Sequence, residues 1–349
     1  MKRAALFLSM LFMLVGFSGC GSQNVDKDPP DDDSDLPQVQ ETQLLFDSKF
    51  AQGISVSALE SQEVSYTWWK YGSASDSVEP FWTLGQYCNL AKSRNNYDSG
   101  LNDLSLGTIF EDPKGIVGQD GAFYTLTNQS GSKEIKVDPS AGKVVLNVDT
   151  REEYVDQQTG NIVPRKDGED WVHMILQQNH PTVYLAQVDS FVMKLDFTLD
   201  TCETYDNSIG AAQFQWIFTV HDKTSPIGDY FWFNVTLFDN RYKVFPGTQM
   251  YDGGKADSTG KFIYAPTGEE LFGESGGRVE TGKTYHVELD LKEYMKNAFE
   301  IAQSLDAMSE SRWEDLTVSG FNIGWEVSNV SNVGVTIESM SLATKTSGA

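Results

Sequence analysis

The chain is poor in positive charge and in histidine for its length. Its 349 residues contain 26 lysines and arginines against 50 aspartates and glutamates, which gives a formal net charge of −24. No lysine- or arginine-rich run is present in the sequence. Nucleic acid and anionic membrane surfaces are therefore poor partners, because both would be repelled. The acidity is compatible with a structural calcium ion, but a total charge locates no site, and no cofactor is predicted.

The sequence also lacks the short motifs that carry several kinds of enzyme chemistry. It has no glycine-rich phosphate loop, no Gly-x-Ser-x-Gly elbow and no His-Glu-x-x-His pair. Its 4 histidines are scattered, and histidines on strand faces are more often hydrogen-bonded surface residues than zinc ligands. With 3 cysteines there is no disulfide framework, and whether Cys88 pairs with Cys202 stays open.

A long apolar run is found only at the start of the chain. Two basic residues and the apolar residues 4–17 precede Ser-Gly-Cys20, and this core is too short for a permanent membrane helix. The segment reads as a secretory signal and resembles a bacterial lipobox, which implies lipidation of Cys20 and removal of residues 1–19. Ordinary secretion with Cys20 as an incidental thiol is the alternative. The predicted location is the bacterial cell envelope, at the outer membrane or cell surface, with the lipid as the membrane contact.

Composition divides the remainder into two parts. Residues 20–41 are acidic and contain prolines, so they predict a flexible tether between the lipid anchor and a globular part. Residues 42–349 show strand after strand with turn signals between them and one helix near 292–308. We expect a single all-β domain with an antiparallel β-sandwich fold. The ring-rich residues 63–100 are predicted to be irregular.

The most informative stretch is 229–242, which predicts one long strand with two different faces. Phenylalanine, valine and leucine alternate with Tyr230, Trp232, Asn234 and Thr236. Rings stack on the apolar faces of pyranoses, and amides match hydroxyl groups that both donate and accept hydrogen bonds. This strand therefore indicates a sugar-binding face, with a partly exposed strand that binds nothing as the alternative.

The same alternation in other strands extends the predicted ligand-binding set. Inward-facing apolar residues are predicted at alternate positions of 171–177, 191–199, 212–221, 284–291 and 320–327. The opposite faces carry Trp171, His173, Gln215 and His286, together with the carboxylates Glu288, Asp290 and Glu326. If these strands share a sheet, their polar faces merge into one ligand groove. A solvated sheet face without a ligand is the alternative.

The closing strands carry a resemblance to a known superfamily. Gly320-Phe-Asn-Ile-Gly-Trp-Glu-Val and the strand from Val333 resemble the last strands of concanavalin A-like lectin and glucanase jelly rolls. The stretch from Gly168 to Gln178 and the strand 229–242 resemble uncharacterised bacterial surface proteins of that kind. The resemblance implies a jelly roll, a curved sandwich whose concave sheet binds glycans in lectins, glycosidases and lyases alike.

Two arrangements of carboxylates are candidates for catalysis. Glu288-Leu-Asp290-Leu-Lys292-Glu293 is similar to the Glu-x-Asp-x-x-Glu signature of laminarinase-like glycosidases, in which the two glutamates are nucleophile and acid/base. Lys292 departs from the apolar residue expected there, and Glu293 falls where the predicted helix begins. Alternatively, Glu288 and Glu326 oppose one another on neighbouring strands, with His173 or His286 nearby. Asp239-Asn-Arg241 is predicted to close a turn.

Three hypotheses follow from the sequence. The first is a lipid-anchored protein that binds a polysaccharide without catalysis. The second is a polysaccharide-degrading enzyme, a glycoside hydrolase before a lyase, that uses the same face. The third is a structural envelope protein whose sandwich mediates assembly.

Overall fold

The segments predicted as strands from their alternating apolar and polar residues are strands in the computed structural model. The structure describes residues 39–57, 66–86, 115–156, 159–166, 168–169, 171–253, 258–273 and 278–347. The signal segment and Cys20 lie outside these ranges. The strands are β1 (Val39–Gln43), β2 (Ile54–Ser57), β3 (Tyr66–Trp69), β4 (Trp82–Gly85), β5 (Gly115–Asp120), β6 (Phe123–Asn128), β7 (Lys133–Asp138), β8 (Lys143–Asp149), β9 (Val172–Tyr184), β10 (Ser190–Asp206), β11 (Ala212–Asp222), β12 (Tyr230–Asp239), β13 (Thr248–Tyr251), β14 (Phe262–Ala265), β15 (Thr284–Asp290), β16 (Leu316–Val327) and β17 (Val330–Ser347).

These strands form two sheets. Sheet A has the order β15-β10-β17-β8-β7-β6-β5, with β1 paired to β17. Sheet B has the order β13-β14-β12-β11-β16-β9-β4-β2-β3. Neighbouring strands are antiparallel except for the pairs β12–β14 and β2–β4, which are parallel. The predicted all-β antiparallel sandwich is confirmed.

The core lies between the inner faces of the two sheets. On β12, the predicted inward residues Phe231, Phe233, Val235 and Leu237 are all buried. The inward residues predicted for the other strong strands are buried as well, except Tyr285, which is half-buried: Val172, Met174, Leu176, Phe191, Met193, Leu195, Phe197, Leu199, Phe214, Trp216, Phe218, Val220, Val287, Leu289, Leu291, Phe321, Ile323, Trp325 and Val327. Burial of each large side chain is favourable by roughly 1.5–3 kcal/mol, so the alternation of the sequence sets which way every strand faces.

The predicted helix is present, but it is shorter than expected. Helix α2, Leu291–Ser304, follows β15 directly, after the five-residue helix α1, Gly268–Phe272. Met295, Ala298, Phe299 and Ala302 form its buried stripe. The helix ends before Leu305, which is exposed, because the following residues turn back through left-handed conformations at Asp306 and Met308.

The structure differs from the sequence predictions in two other segments. The residues 63–100, expected to be irregular, contain the strands β3 and β4 where the structure describes them. Strand β1 starts at Val39, inside the segment predicted as tether, because it pairs with the last residues of β17. Cys202 is half-buried on β10, and Cys88 lies outside the described residues.

Candidate functional site

The outer face of sheet B carries a line of side chains across five strands, and four of the five are polar. The strand register places Asn234, Ile217, Asn322, Gln177 and Thr83 side by side on β12, β11, β16, β9 and β4. The Gln177 Nε2 donates to the Asn322 Oδ1 at 3.0 Å. Both amides are half-buried and face the same side of the sheet, so they form a hydrogen-bonding floor.

An open cleft lies on this floor. Its volume is ≈520 Å³, within the range of small-molecule sites. The lining is mostly amide, hydroxyl and aromatic: Glu79, Pro80, Phe81, Thr83, Gln177, Gln178, Asn179, Thr219, His221, Ser319, Gly320, Phe321 and Asn322. Glu79 is the one carboxylate among these residues, and none of them is a lysine or arginine.

Three rings follow one another beside the cleft, on β11 and β12. His221 lies 5.2 Å from Tyr230, and Tyr230 lies 5.3 Å from Trp232, with each distance measured between ring centroids. Trp232 is half-buried, and its Nε1 donates to the Thr259 Oγ1 at 3.3 Å. We call His221, Tyr230 and Trp232 the aromatic bank.

The charge state of His221 suits a neutral ligand. Burial lowers the pKa of His221 below its usual range, and the nearby lysines Lys223 and Lys261 lower it further. At neutral pH the imidazole is therefore uncharged. A neutral imidazole offers one donor and one acceptor, which is the pattern of a sugar hydroxyl.

A buried polar network occupies another part of the same face. The Gln215 Nε2 donates to Glu326 at 2.8 Å, and the Gln215 Oε1 accepts from Asn234 at 3.2 Å and from Thr236 at 3.0 Å. The His173 Nε2 lies 3.2 Å from the other oxygen of Glu326. His173, Gln215, Asn234 and Thr236 are buried, so this network orders the sheet face beside the cleft.

Apart from Trp171, five of the predicted ligand-binding residues share the outer face of sheet B. They differ in exposure. Tyr230 and Trp232 are half-exposed on the aromatic bank, whereas His173, Gln215 and Asn234 are buried in the network. Trp171 immediately precedes β9 and is half-buried, with the Arg165 guanidinium 5.8 Å from its ring. On this face, the accessible members of the predicted set on the strands are therefore Tyr230 and Trp232, which His221 joins in the aromatic bank.

His286, Glu288 and Asp290 do not join this surface. Their strand β15 pairs with β10, so they lie on the outer face of sheet A, on the other side of the sandwich. Glu288 is ion-paired with Lys194 at 2.9 Å, and this contact lowers the pKa of the carboxyl. The His286 Nδ1 lies 2.6 Å from the Asp196 carboxylate. The single merged groove expected from the sequence is thus divided between two sheets.

Neither predicted pair of carboxylates is assembled. Asp290 caps helix α2, because its side chain accepts from the Lys292 backbone N–H, and Glu293 belongs to the first turn of that helix. Glu288 and Glu326 are on the outer faces of opposite sheets. The core layer, about 10 Å thick, separates the sheets, so these two carboxyls cannot act on one bond.

The turn predicted at Asp239-Asn-Arg241 is confirmed. The Asp239 carboxylate accepts from the Arg241 backbone N–H at 3.0 Å and from its Nε at 2.9 Å. The Arg241 Nη2 lies 2.6 Å from the second carboxylate oxygen. Gln213 also donates to Asp239, at 2.8 Å. Asp239 is therefore engaged in closing the end of β12.

The sequence reasoning missed the side of the cleft opposite the aromatic bank. Phe81 and Asn179 are exposed there, and Thr83 lies beside them. Phe81 precedes the buried Trp82, so the same alternation would have placed it outward if β4 had been recognised as a strand.

Within the residue ranges that the structure describes, no group of three or more histidine, cysteine, aspartate or glutamate side chains is arranged to hold a metal ion. In the same part of the chain, no helix is both long and apolar enough to cross a membrane.

Comparison with known proteins adds similarity in fold. No protein-family model and no curated protein matches the chain. Among solved structures, it is similar to a cellulase derived from that of Rhodothermus marinus, with 12% identity over 66% of this chain and 98% of that chain, at a TM-score of 0.37. A family 12 xyloglucanase from Bacillus licheniformis is similar with 11% identity over 67% and 97% of the two chains, also at a TM-score of 0.37. A family 11 xylanase from Neocallimastix patriciarum gives 7% identity over 67% and 93%, at a TM-score of 0.30. At these low identities the similarity is to the fold alone.

Proposed function

We propose that this protein is a polysaccharide-binding protein of the bacterial cell envelope and that its ligand lies in the cleft of sheet B. The observation that carries the proposal is the lining of the cleft, where Gln177, Asn322 and Thr219 lie beside the exposed rings of Phe81 and the aromatic bank. Amides and hydroxyls satisfy sugar hydroxyls, and rings cover the apolar faces of pyranoses.

Binding without hydrolysis is the better supported activity. Glycoside hydrolysis uses two carboxyl groups about 5–5.5 Å apart for retention or about 6.5–9.5 Å apart for inversion. Glu326, the predicted catalytic residue on sheet B, is already bonded to Gln215 and His173. Glu288, the carboxylate that the sequence predicted to act with Glu326, is on sheet A.

Trp232→Ala is the direct test of the proposed face. We expect the wild-type protein to be retarded in affinity gels that contain a soluble polysaccharide and the variant to lose most of that retardation, because it loses the largest ring of the aromatic bank. The urea unfolding midpoint should change little, since Trp232 is half-exposed. Unchanged retardation of the variant would contradict the proposal that this face binds the polysaccharide.

A glycan array and a hydrolysis screen on the same protein separate the alternatives. Retention without release of reducing sugar supports binding, whereas release of reducing sugar would favour the glycosidase. Failure to bind any glycan, together with self-association, would favour an assembly role in the envelope.

The membrane anchor is a second part of the proposal. It is supported by the lipobox-like residues that end at Cys20 and by the acidic tether that follows them. Metabolic labelling with a fatty-acid analogue should mark the wild-type protein and not the Cys20→Ala variant. A label that persists in the variant would refute lipidation at this cysteine.

A further inference from the structure

We infer that Phe81, backed by Phe46, is a second stacking platform for the glycan and that Gln178 holds this platform in place. The inference rests on the proposed function and deepens it, because it places a sugar contact on the side of the cleft opposite the aromatic bank.

Phe81 is directed into the cleft by the strand that follows it. Trp82, the first residue of β4, is fully buried in the core, so the neighbouring Phe81 and Thr83 face outward. Both line the cleft. Phe81 remains 46% exposed, which leaves one side of its ring open to solvent.

Phe46 supports the ring of Phe81 from behind. The two ring centroids are 5.5 Å apart and the planes are inclined by 26°, which is a stacked arrangement. Phe46 is itself 41% exposed. A single exposed apolar residue needs no explanation, but a ring that is backed by a second exposed ring at the edge of a polar cleft leaves its open face as a flat apolar surface of the kind that a pyranose covers.

Gln178 fixes the backbone of Phe46 through both halves of its amide. The Phe46 N–H donates to the Gln178 Oε1 at 2.7 Å, and the Gln178 Nε2 donates to the Phe46 carbonyl at 2.8 Å. Gln178 is buried, so these two bonds are partly shielded from water. The next residue of β9, Asn179, is exposed in the cleft, so one strand supplies both the inward anchor and an outward amide.

Further hydrogen bonds immobilise the loop that follows Phe46. The Trp82 Nε1 donates to the Asp47 carbonyl at 2.9 Å, and the Tyr71 hydroxyl donates to the Phe50 carbonyl at 2.7 Å. The platform is thereby tied to β4 and β9, two of the strands that line the cleft. A preformed platform of this kind costs little ordering when a ligand binds.

The spacing of the two stacking surfaces bears on the length of the ligand. Phe81 precedes β4 and Trp232 lies on β12, four strand positions away in sheet B. Four spacings amount to about 19 Å. A ligand that touches both surfaces is therefore an extended oligosaccharide segment and not a single sugar.

The test measures affinity of the full chain for soluble xyloglucan, xylan, β-1,3-glucan and mannan by affinity electrophoresis and calorimetry. We expect wild-type protein to bind at least one of them and Phe81→Ala to raise the Kd for that polymer about tenfold, the loss expected for about half the burial of a phenyl ring. Phe81→Tyr should retain nearly wild-type affinity because the ring is kept. Tyr205→Ala, which removes a ring of similar exposure from β10 in sheet A, is the matched control and should leave the Kd unchanged.

A double-mutant cycle tests the role of Gln178. Gln178→Leu and Phe46→Leu should each weaken binding several-fold in the wild-type background and have no further effect in the Phe81→Ala background, because both act through Phe81. Additive losses would overturn the positioning role. Wild-type binding that survives Phe81→Ala unchanged would overturn the platform alone, whereas wild-type protein that binds none of the four polymers would overturn the proposed function with it.

Discussion

A proton on the buried His180 would be costly to the core. Its side chain is buried on the inner side of β9, with the rings of Phe191 and Phe321 6.4 Å and 6.3 Å away. Its Nδ1 lies 2.8 Å from the Pro181 carbonyl, which fits a neutral ring that donates at this nitrogen. Burial lowers the pKa of His180 below the ordinary value of 6.5.

The sign of the resulting pH dependence follows from linkage. Between the lowered pKa and 6.5, the unfolded chain takes up a proton at this histidine and the native protein does not. The contribution of His180 to stability is therefore complete above pH 6.5 and is lost as the pH falls toward the folded-state pKa. The lowered pKa of His221 acts in the same direction.

We predict that His180→Phe reduces the loss of stability on mild acidification. A phenyl ring can occupy the place between Phe191 and Phe321 and takes up no proton. Urea unfolding midpoints of both proteins at pH 7.5 and pH 5.5 measure this, and the drop between the two conditions should be smaller in the variant. An equal drop in both proteins would show that His180 does not carry the effect.

At the scale of elements, Asp290 marks the point where strand β15 becomes helix α2. Its carboxylate accepts from the Lys292 backbone N–H at the helix N-terminus and from the Phe191 N–H on β10, the latter at 3.0 Å. One side chain thus caps the helix and ties it to sheet A. This arrangement accounts for an acidic residue that the sequence pattern also offered as part of a catalytic motif.

Asp290→Ala should therefore affect stability and leave binding unchanged. Loss of an N-cap costs about 1–2 kcal/mol in the free energy of unfolding, which denaturant titration would measure. Glu288→Gln on the same strand removes an exposed ion pair and should change the free energy of unfolding less. Loss of glycan affinity in Asp290→Ala without loss of stability would contradict the capping role.

Strand β16 illustrates how closely sheet B is packed at the centre of its face. A Cβ atom added at Gly324 would lie 2.2 Å from the Met174 carbonyl oxygen and 2.8 Å from the Ile175 Cα, both on the adjacent strand β9. Backbone atoms of a paired strand cannot withdraw without breaking the pairing. The glycine is therefore required by the close approach of the two strands.

We expect Gly324→Ala to lower the free energy of unfolding by about 3 kcal/mol or more, because the overpacking cannot be relieved by a side-chain rotation. Gly121→Ala is the matched control. Gly121 has a φ of +59° but no atom within 4 Å of an added Cβ, so only the backbone cost of about 1–2 kcal/mol applies. Similar losses in the two variants, measured by denaturant unfolding, would show that contact with β9 is not the cause.

For the whole molecule, the local pattern of the sequence predicts the faces of strands and not the sheet to which each strand belongs. The alternation in β12 and β15 places Phe233 and Val287 inward, because a period of two residues is a local property. Sheet membership depends on partners far along the chain, as when Lys194 of β10 pairs with Glu288 of β15. His173 and His286 each occupy a polar strand face, and only the pairing shows that they lie on different sheets.

The same limit applies to the cleft. Two residues of the aromatic bank, Tyr230 and Trp232, are visible in the sequence because they alternate with apolar residues along one long strand. Phe81 and Phe46 come from two short segments that meet through Gln178, 132 residues away from Phe46 in the chain. A contact of this separation leaves no periodic signal in either segment.

We expect the charge of the molecule to set the preference of the proposed site among polysaccharides. The formal net charge is −24, the cleft lining includes Glu79 and no lysine or arginine, and the lowered pKa of His221 keeps its ring neutral at pH 7. A polyanionic glycan is therefore repelled as it approaches, whereas an uncharged glycan is not. Salt screens charges over about 10 Å at 0.1 M ionic strength, so it weakens this repulsion.

We predict that affinity for a neutral polysaccharide is the same at low and at high salt, and that any binding of a polyuronate strengthens as salt is raised. Calorimetric titration with xyloglucan and with polygalacturonate, in 20 mM and 300 mM NaCl at pH 7.5, distinguishes the two dependences. Binding of the polyuronate that is tight at 20 mM NaCl and weakens at 300 mM would require a cationic site. Such a site is incompatible with the described lining of the cleft, and that result would move the binding surface elsewhere on the molecule.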